Sequence, residues 1–183
     1  MSWLRWIAVV LLIGWLGHYP LAMLVPRLVM ETLYQKVGEF SGYNRLNVSQ
    51  RPDETSRAVV RPSPDLLYAS CVYNLEQGPI VISAPVPERY WSMQFYQMNT
   101  NNFAGISNQR EQRYRAGSQV EVTLVGPDAN PAEYSGEVIQ SPTTRGVMLL
   151  RASGIGDASQ AQTALENSRC EELSKSPSSE SNT

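Results

Sequence analysis

The chain has 183 residues, enough for one domain of ordinary size with an appendage and too few for two full domains. Its 15 basic and 17 acidic side chains give a formal charge of −2 and a sequence pI near 5.5, which argues against a nucleic-acid partner, because such proteins carry a basic excess to replace phosphate counterions. Hydrophobic residues make up 42% and aromatic residues 9%, so the chain as a whole is built to fold; one histidine and two cysteines remove most zinc and histidine-based catalytic schemes.

The first element in chain order is a membrane anchor. From Trp6 to Pro26 there are 21 consecutive residues without Asp, Glu, Lys or Arg. At the helical rise that stretch spans about 30 Å, the hydrocarbon thickness of a bilayer. Trp3 and Trp6 flank Arg5 where an interfacial aromatic belt belongs. Mean hydropathy over the whole chain is only −0.28, so the remainder is distinctly polar. A cleavable signal peptide would follow its apolar core with small residues; here Leu16-Gly17-His18-Tyr19-Pro20 follows instead, and the uncleaved anchor is preferred. Arg5 before the segment and Arg27 and Lys36 after it leave the charge rule undecided. A short stub before a large body favours the stub inside and the body outside. This places residues 6–26 in lipid and the C-terminal domain on the non-cytosolic side.

A helical stripe continues through Leu21, Leu24, Val25, Leu28, Leu33, Val37 and Phe40, read as an extension of the anchor kinked at Pro26; a partner-binding amphipathic helix is the alternative. Arg45 to Asp65, with Pro52, Pro62 and Pro64, reads as a connector with little regular structure. Strand signals then dominate: Leu66 to Tyr73, Ile80 to Ile82, Tyr90 to Met98, the alternating Gln119 to Leu124, Val138-Ile139, and Val147 to Leu150. The last of these is apolar on both faces and therefore central in its sheet. Short strands broken by Pro and Gly predict an antiparallel sandwich or barrel. Asp157 to Leu173 reads as a helix capped by Asp157, with Ala158, Ala161 and Leu165 covering a sheet edge and Cys170 at its end. Residues 174–183 hold five serines and are expected to be disordered. The organisation is thus 1–40 anchor and extension, 41–65 connector, 66–173 β-rich domain and 174–183 tail, a mainly β (α+β) fold.

Cys71 shares an apolar strand face with Leu67 and Ala69. Export to an oxidising compartment would favour its pairing with Cys170; two buried free thiols are the alternative. The sole histidine, His18, lies inside the hydrophobic segment, so Ser-His-Asp and Cys-His machinery is denied to the body, and no metal set is nominated. Gly154-Ile155-Gly156 lacks the rest of a dinucleotide fingerprint, and no cofactor is implied. The remaining candidates are polar and aromatic: Tyr68, Tyr96, Asn99, Asn102 and Arg145, read as a groove of tyrosines with Asn and Arg donors for a small polar ligand. Asn side chains closing a turn through backbone bonds are the competing account.

The run Asp65-Leu66-Leu67-Tyr68-Ala69-Ser70-Cys71-Val72-Tyr73-Asn74-Leu75 with Gly78-Pro79 resembles the signature of the bacterial family of domains of unknown function 1254. Tyr90-Trp91-Ser92-Met93-Gln94-Phe95-Tyr96 with Asn102-Phe103, and Ser141-Pro142-Thr143-Thr144-Arg145-Gly146, are similar in order and spacing. The chain resembles the short branch in which one membrane helix precedes a single small domain. That resemblance implies a mostly β fold, supports a Cys71–Cys170 bridge and transfers no catalytic residues. Larger relatives join this domain to a second one, numbered 1214, so a separately encoded partner of the 1214 type is implied. The resulting expectation is a membrane-anchored protein whose exported β domain binds a partner protein or small ligand without catalysis of its own; the alternative is a hydrolase-type enzyme or subunit completed by that partner.

Overall fold

The computed structural model describes residues 2–53 and 62–173. The serine-rich tail lies outside them, as does the middle of the connector.

Helix α1 (Ser2–Ser41) runs unbroken through Pro20 and Pro26. Its apolar N-terminal part is exposed, with Trp6 at 71% and Trp15 at 69%. Only its last turns are covered: Met30, Tyr34 and Gly38 are buried, and Leu33 and Val37 pack beside them. Spacings of three and four put these on one stripe of the helix. Phe40, expected in that stripe, is 85% exposed, since it falls to the side of the covered face. Gly42 leaves the helix at φ +84°, and its N–H donates to the carbonyl of Gly38.

Among the described residues nine strands follow. Three residues of the connector form β1 (Leu46–Val48), a short edge strand that the proline-rich composition conceals. Then come β2 (Leu66–Asn74), β3 (Ile80–Pro85), β4 (Trp91–Gln97), β5 (Asn102–Ser107), β6 (Gln119–Val125), β7 (Glu137–Gln140) and β8 (Arg145–Ser153). Helix α2 (Ala158–Glu166) and β9 (Arg169–Glu172) complete the order. One sheet runs β1-β2-β8-β4-β5 and the other β7-β6-β3-β9. The apolar β8 is the middle strand of its sheet, in keeping with its two apolar faces. All pairings are antiparallel except β6–β7, which is parallel, so the expected all-antiparallel arrangement becomes mixed. The chain passes from β6 to β7 through a 3-10 turn at Pro131–Glu133 rather than a tight hairpin.

Period-two alternation decides which side chains meet. Leu67, Ala69, Cys71 and Tyr73 on β2, Trp91, Met93 and Phe95 on β4, and Met148, Leu150 and Ala152 on β8 face Ile80, Ile82, Val120, Val122 and Leu124 of the other sheet in one buried cluster. Each fully buried aliphatic or aromatic side chain here contributes roughly 1.5–3 kcal/mol. Cys71, in the five-stranded sheet, is bonded to Cys170, in the four-stranded sheet, with Cα atoms 6.5 Å apart. The bond therefore ties one layer to the other. Cys170 sits on β9 and not at a helix end: α2 stops at Glu166, Asn167 caps it, and the Ser168 hydroxyl bonds back to the carbonyl of Ala164. Asp157 is the N-cap, accepting from the Ser159 N–H at 3.0 Å. These bonds to Ser159, side chain first and backbone second, hold the Asp157 carboxyl below its ordinary pKa. Through buried Ala161, Ala164 and Leu165, α2 reaches β8 and β2 of one sheet and β3 of the other, bridging the layers instead of covering an edge.

Candidate functional site

The outer face of the five-stranded sheet is laid out in rows by strand register. Val72, Val147, Tyr96 and Asn102 form one row, Ser70, Leu149, Gln94 and Gly105 the next, and Tyr68, Arg151, Ser92 and Ser107 a third. The face grades from apolar to polar along the strands.

The apolar row is covered by α1. Met30 and Tyr34 are buried with Val72 and Val147, and Tyr96 and Met98 pack against them. Two polar contacts fix this dock: the Tyr34 hydroxyl donates to the carbonyl of Tyr73 at 3.4 Å, and Arg145 lies 3.6 Å from Glu31 and 5.5 Å from the Tyr34 ring centroid. Desolvation, with the neighbouring Tyr43 phenol next, pushes the Tyr34 phenol up to about 12.

Behind the same row, the Ser141-Pro142-Thr143-Thr144-Arg145-Gly146 run makes the corner from β7 into β8. Ser141 is buried; its Oγ donates to the Thr143 carbonyl at 2.6 Å and lies 3.1 Å from the Tyr73 hydroxyl. Burial raises the Tyr73 phenol to about 12. Gly146 passes so close to the Tyr73 hydroxyl and the Tyr96 carbonyl that a side chain there would overlap both. The corner motif is thus occupied with structure.

The polar row is partly buried: Tyr68 and Arg151 are half-buried, and Ser92 and Ser107 are buried. Ser92 Oγ accepts from the Tyr90 hydroxyl at 2.9 Å and from Arg151 Nε at 3.2 Å, and Ser92 is fully buried beneath them. Tyr68 Oη accepts from the Ser63 N–H at 2.9 Å. Arg151 is half-buried, and among the described residues no carboxylate pairs with it. Beside the row lies a shallow hollow of about 420 Å³ lined by Glu88, Arg89, Tyr90, Asn108, Gln109 and Ser153. Asn108 shapes it by accepting from the Trp91 N–H at 3.0 Å and donating to the Arg89 carbonyl at 2.7 Å. A more apolar hollow of about 340 Å³ separates α2 from the β3–β4 connection and shares Glu88 with the first. On the far side, Tyr114 donates to Glu137, and Arg113 bonds Glu111 at 2.7 Å and Glu137 at 3.0 Å, latching the β5–β6 loop to β7. Desolvation and the Glu137 carboxylate raise the Tyr114 phenol well above its usual range. Among the described residues no group of three or more His, Cys, Asp or Glu is placed to hold a metal ion.

The five sequence-derived candidates do not gather in one groove. Arg145 and Tyr96 lie at the α1 dock, while Tyr68 lies at the opposite end of β2, opposite Arg151. Asn99 accepts from the Asn101 N–H at 3.0 Å, closing the β4–β5 turn, and Asn102 donates to the Gln94 side chain at 2.8 Å. Arg151 and Ser92 in the polar row, and Tyr90 beside it, are not among those candidates. The alternation Val147, Leu149, Arg151 already places Arg151 on the outer face, had the strand been extended beyond Leu150.

Fold and face together define a two-sheet β domain carried on an N-terminal apolar helix, with a half-buried polar row on the sheet to which the helix docks. The chain belongs to the family described as "Protein of unknown function (DUF1254)", whose model matches residues 43–171, nearly all of the β domain and none of α1. No protein of curated function matches it. Among solved structures it is similar to the VPA0106 protein of Vibrio parahaemolyticus, at 16% identity and a TM-score of 0.56 over 85% of this chain and 38% of that one. An uncharacterized protein from Burkholderia cenocepacia matches at 16% identity and a TM-score of 0.48, over 66% of this chain and 35% of that one. The chain therefore spans well under half the length of these structures. At this identity the Vibrio likeness shows the fold alone.

Proposed function

We propose that the chain is a single-pass, inner-membrane-tethered binding domain of a bacterial envelope, its β domain in the periplasm, working without catalysis of its own beside a separately encoded partner of the 1214 type. The observation that carries this reading is the division of labour along α1. Its last turns are fastened to the sheet by Tyr34, Met30 and Arg145, whereas the residues before them stay exposed and apolar, with mean hydropathy 1.9 in the span window and none of that window buried. A helix with one end built into a domain and the other end greasy and uncovered acts as a tether. The interlayer disulfide supports an oxidising compartment.

Membranes of cells producing the full chain test the proposal. The chain is expected to resist alkaline carbonate extraction, to be cleaved by protease added to the periplasmic side, and to co-purify with a stoichiometric 1214-type protein from mild detergent. Release by carbonate would overturn the tether, and a clean monomer in detergent would overturn the assembly.

A further inference from the structure

We infer that the half-buried Arg151, in the polar row on the outer face of the five-stranded sheet, is the anion clamp of a carboxylate-binding site, with Tyr68 and Tyr90 as its flanks. The inference deepens the binding-domain reading and rests on it.

Three observations meet at Arg151. First, its guanidinium is half-buried on a sheet face, yet among the described residues no carboxylate neutralises it and its one side-chain hydrogen bond runs from Nε to Ser92. The other arginines bonded to acidic side chains, Arg113 and Arg145, lie further into solvent, at 61% and 44% exposure. Of these three, Arg151 is the most buried and has no ion-pair partner among the described residues. Second, that single bond is oriented: Ser92 is fully buried and is itself held by the Tyr90 hydroxyl at 2.9 Å, so the guanidinium plane is fixed by a fixed acceptor. With Nε engaged, the two terminal nitrogens present the end-on edge, whose parallel N–H groups match the two oxygens of a carboxylate. Third, the surroundings suit an organic monoanion. Leu149 in the adjoining row offers apolar contact, Tyr68 and Tyr90 stand on either side, and the hollow that begins at Tyr90 is lined by Arg89 and Asn108 and also by the Glu88 carboxylate, so the ligand's charged end belongs at Arg151 and not in the hollow. One oriented guanidinium with an apolar neighbour balances a single negative charge with an apolar body better than a phosphate dianion, which draws on several convergent donors.

Titration of the full chain in detergent micelles with sodium hexanoate and sodium benzoate, followed by calorimetry and by the Arg side-chain NMR signals, tests the inference. Saturable binding is expected, with the Arg151 Nε signal shifting. Arg151→Gln is expected to abolish binding, and Arg151→Lys to weaken it about tenfold, since an ammonium keeps the charge but loses the fork. Arg145→Gln, at the helix dock, is expected to leave it unchanged. The unliganded melting temperatures of the Arg151 variants should match wild type, which separates lost binding from lost folding. Equal binding by Arg151→Gln, or inorganic phosphate binding as well as benzoate, overturns the site. So does the absence of any binding by wild type. If co-purification with the partner persists in that last case, the ligand assignment falls while the binding-domain reading stands.

Discussion

Arg145, the first residue of β8, lies over the ring of Tyr34 from the α1 helix, 5.5 Å from its centroid, and the same guanidinium is 3.6 Å from Glu31 one turn earlier. A strand end and a helix three-quarters of the way along its length are thereby joined at the point where α1 leaves its exposed stretch and meets the sheet. The contact marks the edge of the dock, whose buried part is Met30 and Tyr34 against Val72 and Val147.

Removing the two sides of that contact should have unequal effects. Arg145 and Glu31 are both partly exposed, so Arg145→Ala is expected to cost no more than about 1 kcal/mol. Tyr34 is 3% exposed, and Tyr34→Ala removes a buried aromatic side chain, at a cost on the order of 3 kcal/mol. Hydrogen exchange read residue by residue checks this: Tyr34→Ala should deprotect 30–41 while leaving β4 and β8 protected, and uniform deprotection would show that helix and sheet unfold as one unit.

Alkaline pH should loosen the same region. Tyr34 and Tyr73 hold their protons up to about 12 in the folded chain, against an ordinary value of 10.0. Above pH 10 the unfolded chain releases those protons while the folded chain still binds them, so stability falls as pH rises. It is fully present below pH 10 and is lost between pH 10 and 12. Thermal unfolding followed across that interval should show a falling midpoint, and Tyr34→Phe should reduce the slope. A midpoint independent of pH up to 12 contradicts the burial of both phenols.

The Cys71–Cys170 bond closes a loop with a sequence separation of 99. In the chain-entropy account a loop of that size contributes about 4–5 kcal/mol. Denaturant unfolding with and without a reductant should differ by an amount of this order, and reduced and oxidised chains should migrate differently on denaturing gels. Full thiol labelling of unfolded chain that had never met a reductant would show the bond absent.

Gly146→Ala is expected to destabilise by roughly 1–3 kcal/mol, because its methyl group would press on the Tyr73 hydroxyl and the Tyr96 carbonyl, backbone that has no room to move in the sheet. Gly126→Ala is the control, since a Cβ there meets only Leu75 at 3.9 Å. Equal melting temperatures for the two variants would refute the close approach.

Much of this architecture is legible in the amino-acid order, and the reason is local. The strands at Leu66–Asn74, Trp91–Gln97 and Gln119–Val125 alternate because one face of each is buried, and that alternation is written in consecutive residues. The cap at Asp157, the turn at Gly126-Pro127-Asp128 and the apolar opening helix are likewise short-range features. What escapes is whatever depends on a distant partner. β1 and β9 are three and four residues long and exist because β2 and β3 present them with an edge to pair with. β5 follows an asparagine-rich turn and carries a register shift opposite Phe95 and Tyr96, which blurs its alternation.

The site shows the same divide more sharply. Composition and spacing are enough to say that the chain carries a lone histidine in an apolar helix, two cysteines and a polar aromatic surface, since these need no geometry. Whether a particular Arg or Tyr is spoken for is another matter. Arg145 meets Glu31 and Tyr34 across more than a hundred residues of chain, and Arg151, six positions further along the same strand, bonds Ser92 and has no ion pair among the described residues. Two like residues on one strand thus differ because the last turns of α1 pack over one end of the sheet face and not over Arg151, a choice made by packing between elements far apart in the chain.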